Sequence, residues 1–300
     1  MRQEPATAKV QPPPPAHAFR SEAVQERRGL VRQRIRTAGM TVSDILRCED
    51  RPAFVGPGHA ASYTVVLVRA GAFLRRVEGE EFFLDPTGGY LISPGHEQRV
   101  AHTVGAGDRS TEIVFPERLF ADRFDRTAAT SRFQISGATD LHHRALLAAA
   151  PRGAEPFELA ERLHPLLDAV AAAGGRWRAD GPGRGPTVRV HGRLVRDTCA
   201  ALAAGPAALG LSLEEPARLV GTSPHHLSRV FHAVTGTTLT RYRNELRVRG
   251  VLHAVGEGAD GLRDLAHRYG FADQAHLTRT CRRHTGQVPS AVRRLLADRA

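Results

Sequence analysis

Two stretches of this 300-residue chain carry the same design: GTSPHHLSRVFHAVTGTT, Gly221–Thr238, and GFADQAHLTRTCRRHTGQVPS, Gly270–Ser290. Each runs from glycine through a short polar turn to Leu, then Ser or Thr, then Arg, and closes on Thr-Gly. Upstream of them Leu213 and Ala217 recur as Leu262 and Ala266. The matched positions are those a helix-turn-helix needs. In the first copy Leu213, Ala217 and Val220 share one helix face, and small Ala217 lets a second helix cross closely. Gly221 ends that helix, where a left-handed residue costs glycine little. Ser223 then caps the second helix and Pro224 takes its first position, where a missing N–H does no harm.

Within that second helix Leu227, Val230, Phe231 and Val234 form the buried stripe, leaving His225, His226, Ser228, Arg229 and His232 outward. The later copy repeats the plan. Leu262, Leu265, Ala266 and Tyr269 line its first helix; Asp273 caps the second, whose outward residues are Gln274, His276, Arg279, Arg282 and Arg283. Glutamine can pair with adenine and arginine with guanine in a major groove. The duplication therefore reads as two DNA-reading heads. An ordinary amphipathic bundle gives no reason for repeating both caps and both outward arginines.

Charge follows the same division. From Pro186 onward there are 17 Arg against 9 acidic residues, a net of +8, whereas the first 185 residues carry a net of +3. Lys9 is the sole lysine, so the positive charge is almost all guanidinium, whose planar fork suits phosphate oxygens and guanine edges. Cys48, Cys199 and Cys281 lie far apart and are odd in number, neither a disulfide framework nor a metal spacing. No apolar run approaches the roughly 18 residues of a membrane span. The leader MRQEPATAKVQPPPPAHAFR lacks the apolar core of a signal peptide. These features exclude a membrane partner and place the chain in the cytoplasm.

Ahead of the heads, residues 1–39 read as a poorly ordered leader, proline-rich at first. Its second half, SEAVQERRGLVRQRIRTAGM, is compatible with a short basic helix bearing Val24, Val31 and Ile35. Met40 is the only other methionine and a second candidate start. From Tyr63 to Phe115, short β-branched or aromatic runs cut by glycine predict a small barrel or sandwich. Gly79 and Gly88-Gly89 are expected to supply positive φ where strands reverse. Helices follow around Asp140–Ala150 and Phe157–Ala173, the second with Leu159, Leu163, Leu166, Leu167 and Val170 at helical spacing. GGRWRADGPGRGP, residues 174–186, reads as a flexible linker between a domain at 40–173 and one at 187–300.

Through GTSPHHLSRVFHAVTG, the helix NELRVRGVLHAV and GFADQAHLTRTCRRHTGQVPSAVR, about Ser212–Leu296 resembles the AraC/XylS family of bacterial transcription regulators. The resemblance implies an α+β two-domain fold: an N-terminal cupin-like β-barrel with helices and a C-terminal all-α double helix-turn-helix. It implies a bridging helix over Thr240–Val255, about 24 Å long. By the same resemblance His225, Ser228 and Arg229 contact bases from the first head, and Gln274, His276 and Arg279 from the second. Arg282 and Arg283 then meet phosphates. The implied partners are double-stranded DNA, RNA polymerase recruited for activation, and a small-molecule effector in the barrel or a second copy joined through the adjoining helices; the Leu159–Val170 stripe is open to two roles, joining that copy or packing on its own barrel. Pro216, Cys281 and Gly250 depart from the family's usual Leu, Phe and Ala. Pro216 falls in a first turn if Ser212 and Glu215 form a capping box, Cys281 should soften the second head, and Gly250 should weaken the bridging helix by about 1 kcal/mol.

A barrel of this kind could also hold a metal, making the chain a metal-dependent enzyme with a fused nucleic-acid-binding domain. His59, His96, Glu97 and His102 are its candidate ligands. No His-x-His pair stands in one strand, and His96 follows Pro94-Gly95 as a turn residue. Glu80-Glu81 reads as a solvated strand edge rather than a general base, and His142-His143 as a wet helix face. No phosphate loop or nucleophile triad is present, so neither catalysis nor a cofactor is expected. A basic scaffold coating DNA without regard to sequence is the third reading.

Overall fold

Short runs of Val, Ile, Phe and Thr become antiparallel strands in the computed structural model, which describes residues 29–47, 53–59, 61–77, 79–102, 107–124, 132–174, 186–259 and 261–297. They are β1 (Gly29–Thr37), β2 (Met40–Arg47), β3 (Val55–His59), β4 (Tyr63–Ala70), β5 (Phe73–Val77), β6 (Glu80–Leu84), β7 (Gly88–Ile92), β8 (Glu97–His102), β9 (Asp108–Phe115) and β10 (Arg132–Gln134). One sheet is ordered β1-β2-β9-β4-β7-β10, the other β3-β8-β5-β6. Strand β4 shows why they stack. Its side chains alternate, so Val66 and Val68 join Phe73, Leu84, Tyr90 and Val100 between the sheets, while Val65 and Leu67 meet the covering helices. The space between the sheets also takes Arg75, which lies 4.2 Å over the Tyr90 ring and donates to Gln98 at 2.8 Å. The result is a two-sheet β domain, the one expected to be a cupin-like sensor and called the sensor domain below.

The barrel recruits more chain than Tyr63–Phe115. Residues 29–37, inside the stretch expected to be leader and in part a basic helix, form a strand instead. Positive φ at both Ala38 and Gly39 makes the two-residue turn that folds β1 back on β2. Residues 1–28 lie outside the described residues. Gly79 has the expected positive φ of 83°. Gly88 and Gly89 do not reverse the chain: they lie in β7, where a Cβ would stand 2.4 Å from Phe133 O and 2.2 Å from Val66 O. Close approach of neighbouring strands, not φ, requires those two glycines.

Helix α1 (Glu117–Arg123) leads to α2 (Gly137–Ala149) and α3 (Pro156–Gly174). Leu159, Leu163, Leu166, Leu167 and Val170 of α3 are all buried with Leu67 and Ile113 of the larger sheet. Of the two roles open to this stripe, packing on the chain's own barrel is the one observed. Helix α2 faces two ways. Leu146, Leu147 and Ala149 enter that same core, whereas Leu141 and Ala145 belong to the hydrophobic core of the C-terminal helices.

Residues 175–185, which hold most of the expected linker, lie outside the described residues. The all-α part then comprises α4 (Pro186–Ala203), α5 (Pro206–Gly210), α6 (Glu214–Leu219), α7 (Pro224–Thr235), α8 (Leu239–Gly256), α9 (Leu262–Arg268), α10 (Gln274–Thr285) and α11 (Pro289–Ala297). Helix α8 is the bridge: 18 residues, about 27 Å at 1.5 Å each. It buries Leu246, Val248, Val251, Leu252 and Val255 around its circumference. A helix apolar on all sides is one surrounded by protein.

Candidate nucleic-acid interface

Each head is built by the same local chemistry. Ser223 Oγ accepts from His226 N at 3.2 Å and Asp273 Oδ1 from His276 N at 2.6 Å, satisfying N–H groups that the helix start leaves without partners. Gly221 and Gly270 end the preceding helices with φ of 70° and 72°; Gly236 and Gly286 end α7 and α10 the same way. The Thr-Gly repeat has its own purpose. Thr235 Oγ1 donates to Phe231 O at 2.7 Å and accepts from Thr237 N; Thr285 Oγ1 donates to Cys281 O at 2.8 Å and accepts from Gln287 N. Glu215 reaches back to Ser212 N at 2.9 Å, one arm of the capping box, and Pro216 sits buried in the first turn of α6.

This architecture turns His225, Ser228 and Arg229 of α7, and Gln274, Arg279, Arg282 and Arg283 of α10, to the surface. His276 differs. Its ring lies edge-on to Phe271 at 5.4 Å, and its Nδ1 accepts from Ala272 N at 3.3 Å, so it is half-buried at the helix start. On the first head His191 of α4 packs against His226, with ring centroids 6.0 Å apart. Helix α4 therefore extends the surface beside α7, which the sequence did not reveal.

Residues 217–295 match the family model described as a helix-turn-helix domain. The probable transcription factor PqrA of Proteus vulgaris is 31% identical over 84 residues, 28% of this chain and 69% of that protein. The chain belongs to the AraC/XylS family of transcription regulators. Against the regulator GlxA of Rhizobium meliloti it is 32% identical over 78 residues, 26% of this chain, and it spans only 24% of GlxA's length. Among solved structures, the AraC-like activator CuxR is 19% identical with a TM-score of 0.38, over 75% of this chain and 80% of that one.

Where the AraC/XylS pattern is broken, the structure gives reasons. A Cβ on Gly250 would stand 2.3 Å from Cε1 of Tyr269, so glycine there admits a ring of the second head against the bridge. Cys281 is buried in the cluster that contains Leu141 and Ala145, and the sensor helix α2 packs on α10. The bridge also holds the segment that leads into the first head: Arg247 donates to Leu209 O at 2.6 and 3.0 Å, and Arg243 to Leu211 O at 2.7 Å.

Sequence reading missed the face that α8 turns to the sensor. Tyr242 donates to Asp85 Oδ2 at 2.5 Å, Arg249 pairs with Asp140 at 3.1 Å, and Glu257 pairs with Arg109. Burial, then the Asp85 charge, raises the Tyr242 hydroxyl well above its usual value, keeping it a donor. Burial alone would raise the Asp140 carboxyl, but Arg144 and Arg249 outweigh it and hold it far below the ordinary carboxylate range. The only sequence signal was arginine set among Leu and Val in a helix without a polar side.

Among the described residues the candidate metal ligands do not converge. His102 pairs with Asp108 in the barrel wall, His96 follows a turn, and the side chain of His59 lies outside the described residues. No group of three or more His, Cys, Asp or Glu among the described residues could hold a metal ion. Glu81, on edge strand β6, bonds Arg76 and Arg196. His143, expected on a wet face, is completely buried beside Asp140, because α2 is covered on both sides.

Proposed function

We propose that this chain is a sequence-specific regulator that reads duplex DNA with both heads, not an enzyme and not a scaffold indifferent to sequence. One observation carries the reading: two identically capped helices, on one bridge, present Arg229 and Arg279 to solvent at equivalent positions. Arg229, with His225 and Ser228, contacts bases in one major-groove segment, and Gln274 and Arg279 in the next. Arg282 and Arg283 bind phosphates, which fix register without specifying bases. His276 serves to shape the start of α10 and contributes less to base reading than its neighbours. One protomer then reads a direct, non-palindromic site, and activation through RNA polymerase in the cytoplasm is the mode that family membership supports.

An effector would lodge in a cleft of about 840 Å³ between the domains, lined by Phe82, Phe83, Arg132, Val195, Phe231 and Tyr242. The interior between the sheets, the expected place, is occupied by Val66, Phe73, Arg75 and Tyr90.

The test is binding of the full chain to duplexes enriched from a random-sequence pool. Affinity should fall steeply with salt as counterions are released. Arg229→Ala and Arg279→Ala should each cost about 1–3 kcal/mol at separate base positions and relax specificity there. Equal weakening on all sequences would establish the scaffold instead.

A further inference from the structure

The two heads are joined to the sensor unequally. Helix α10 and the terminal α11 both pack on α2, and α2 also packs on the bridge. A Cβ added at Gly137, the first residue of α2, would stand 2.3 Å from His284 O at the end of α10. The bridge completes the junction through Arg249, only 1% exposed, which donates to Ile135 O at 2.7 Å and Ser136 O at 3.2 Å and pairs with fully buried Asp140. Arg144 holds the same Asp140 oxygen at 2.7 Å and donates onward to Arg69 O of the barrel at 2.8 Å. Meanwhile Gln274, Arg279, Arg282 and Arg283 of α10 remain exposed. The sensor thus grips the second head from behind, leaving its reading face open.

We infer that Asp140 and Arg249 are positioning residues for the second head: helix α2 of the sensor is a working part of that head and sets the pose in which Gln274 and Arg279 meet bases. Neither residue touches DNA. A buried charge pair that also satisfies two backbone carbonyls has one good geometry, so it locates α10 against the bridge more sharply than apolar packing does. The sensor meets the first head through neighbouring elements, Tyr242 of the bridge on Asp85 and Arg196 of α4 on Glu81, and that head reads its bases with less dependence on the sensor.

This inference rests on the DNA-reading function proposed above, and the experiment separates the two. The duplex that the wild-type full chain enriches from a random-sequence pool is substituted at each base pair in turn. Arg229→Ala and Arg279→Ala mark the bases belonging to each head. Asp140→Asn and Arg249→Met should lower discrimination at the Arg279 bases by about fivefold or more, within the roughly two- to thirtyfold range of coupling through packed networks. At the Arg229 bases the change should stay below about twofold, and Arg249→Lys should recover part of the loss. A residue that merely supports the fold would weaken both sets alike, and that result overturns the inference. Should these variants not fold, hydrogen exchange on the wild-type chain decides: adding the duplex should protect α2 together with α10, and an unaltered α2 overturns it. If the wild type enriches no sequence at all, the function itself falls.

Discussion

The first and second heads share a plan and differ in what lies behind them. Behind α7 are Phe231, whose ring lies 5.3 Å from that of Tyr242 on the bridge, and the cleft between α7 and β6. Behind α10 are Cys281 and the sensor helix α2, which packs directly on α10 and carries Leu141 and Ala145 into the same core. A duplicated motif can thus diverge inside while its surface chemistry stays parallel. One head meets the other domain through neighbouring elements; the other has a helix of that domain packed directly on it.

Three measurements would break or sharpen that contrast. The largest effect should come from Phe231→Ala, which empties a fully buried aromatic site and should cost about 3–5 kcal/mol in urea unfolding. A much smaller loss would mean that the first head also leans on a neighbour.

Next comes pH. Burial, opposed by Asp140 and reinforced by Arg69 and Arg144, lowers His143 to about 4 from an ordinary 6.5. His253 is lowered to about 4 by burial with Arg144 and Arg109, and His284 to about 4 by burial with Arg249, Arg241 and Arg283. Between those limits the unfolded chain binds protons that the folded chain refuses. Stability should therefore be full above pH 6.5 and decline as pH falls toward 4, by up to roughly 3 kcal/mol for His143 alone. All three imidazoles lie at the junction of sensor, bridge and second head. Exchange protection in α10 should fall through that window before protection in α7 does, and parallel losses would contradict the contrast.

The smallest effect is the most pointed. Cys281→Phe restores likeness between the heads, yet with α2 already packed on α10 it should destabilise by about 1–3 kcal/mol through overpacking. A gain in melting temperature would show that the space was empty.

Much of the reader was legible before any coordinates, because it rests on local chemistry. Ser223, Pro224, Asp273, Gly221 and Gly270 act within a few residues of themselves, and the bridge ends within a residue of its expected bounds. The segment from Tyr63 to Phe115 matches the ends of β4 and β9. Strand β1 was hidden because its arginines suggested a basic helix, although VRQRIRT also alternates with period two and runs into the Ala38-Gly39 turn. Asp140 and Arg249 were hidden for another reason. They stand more than a hundred residues apart, and nothing in either neighbourhood names the other. His276 was placed by its position in a helix, while its ring orientation depends on Phe271.

Helix Gly137–Ala149 has a further consequence, for anyone exchanging parts among such proteins. Cutting within 174–186 divides the polypeptide but not the cooperative unit, since one face of that helix leaves with the barrel and its other face was holding the reader. A chimera should carry this helix, with Asp140 and its arginines, alongside the C-terminal half. The natural seam for recombination runs through the packing, not along the glycines.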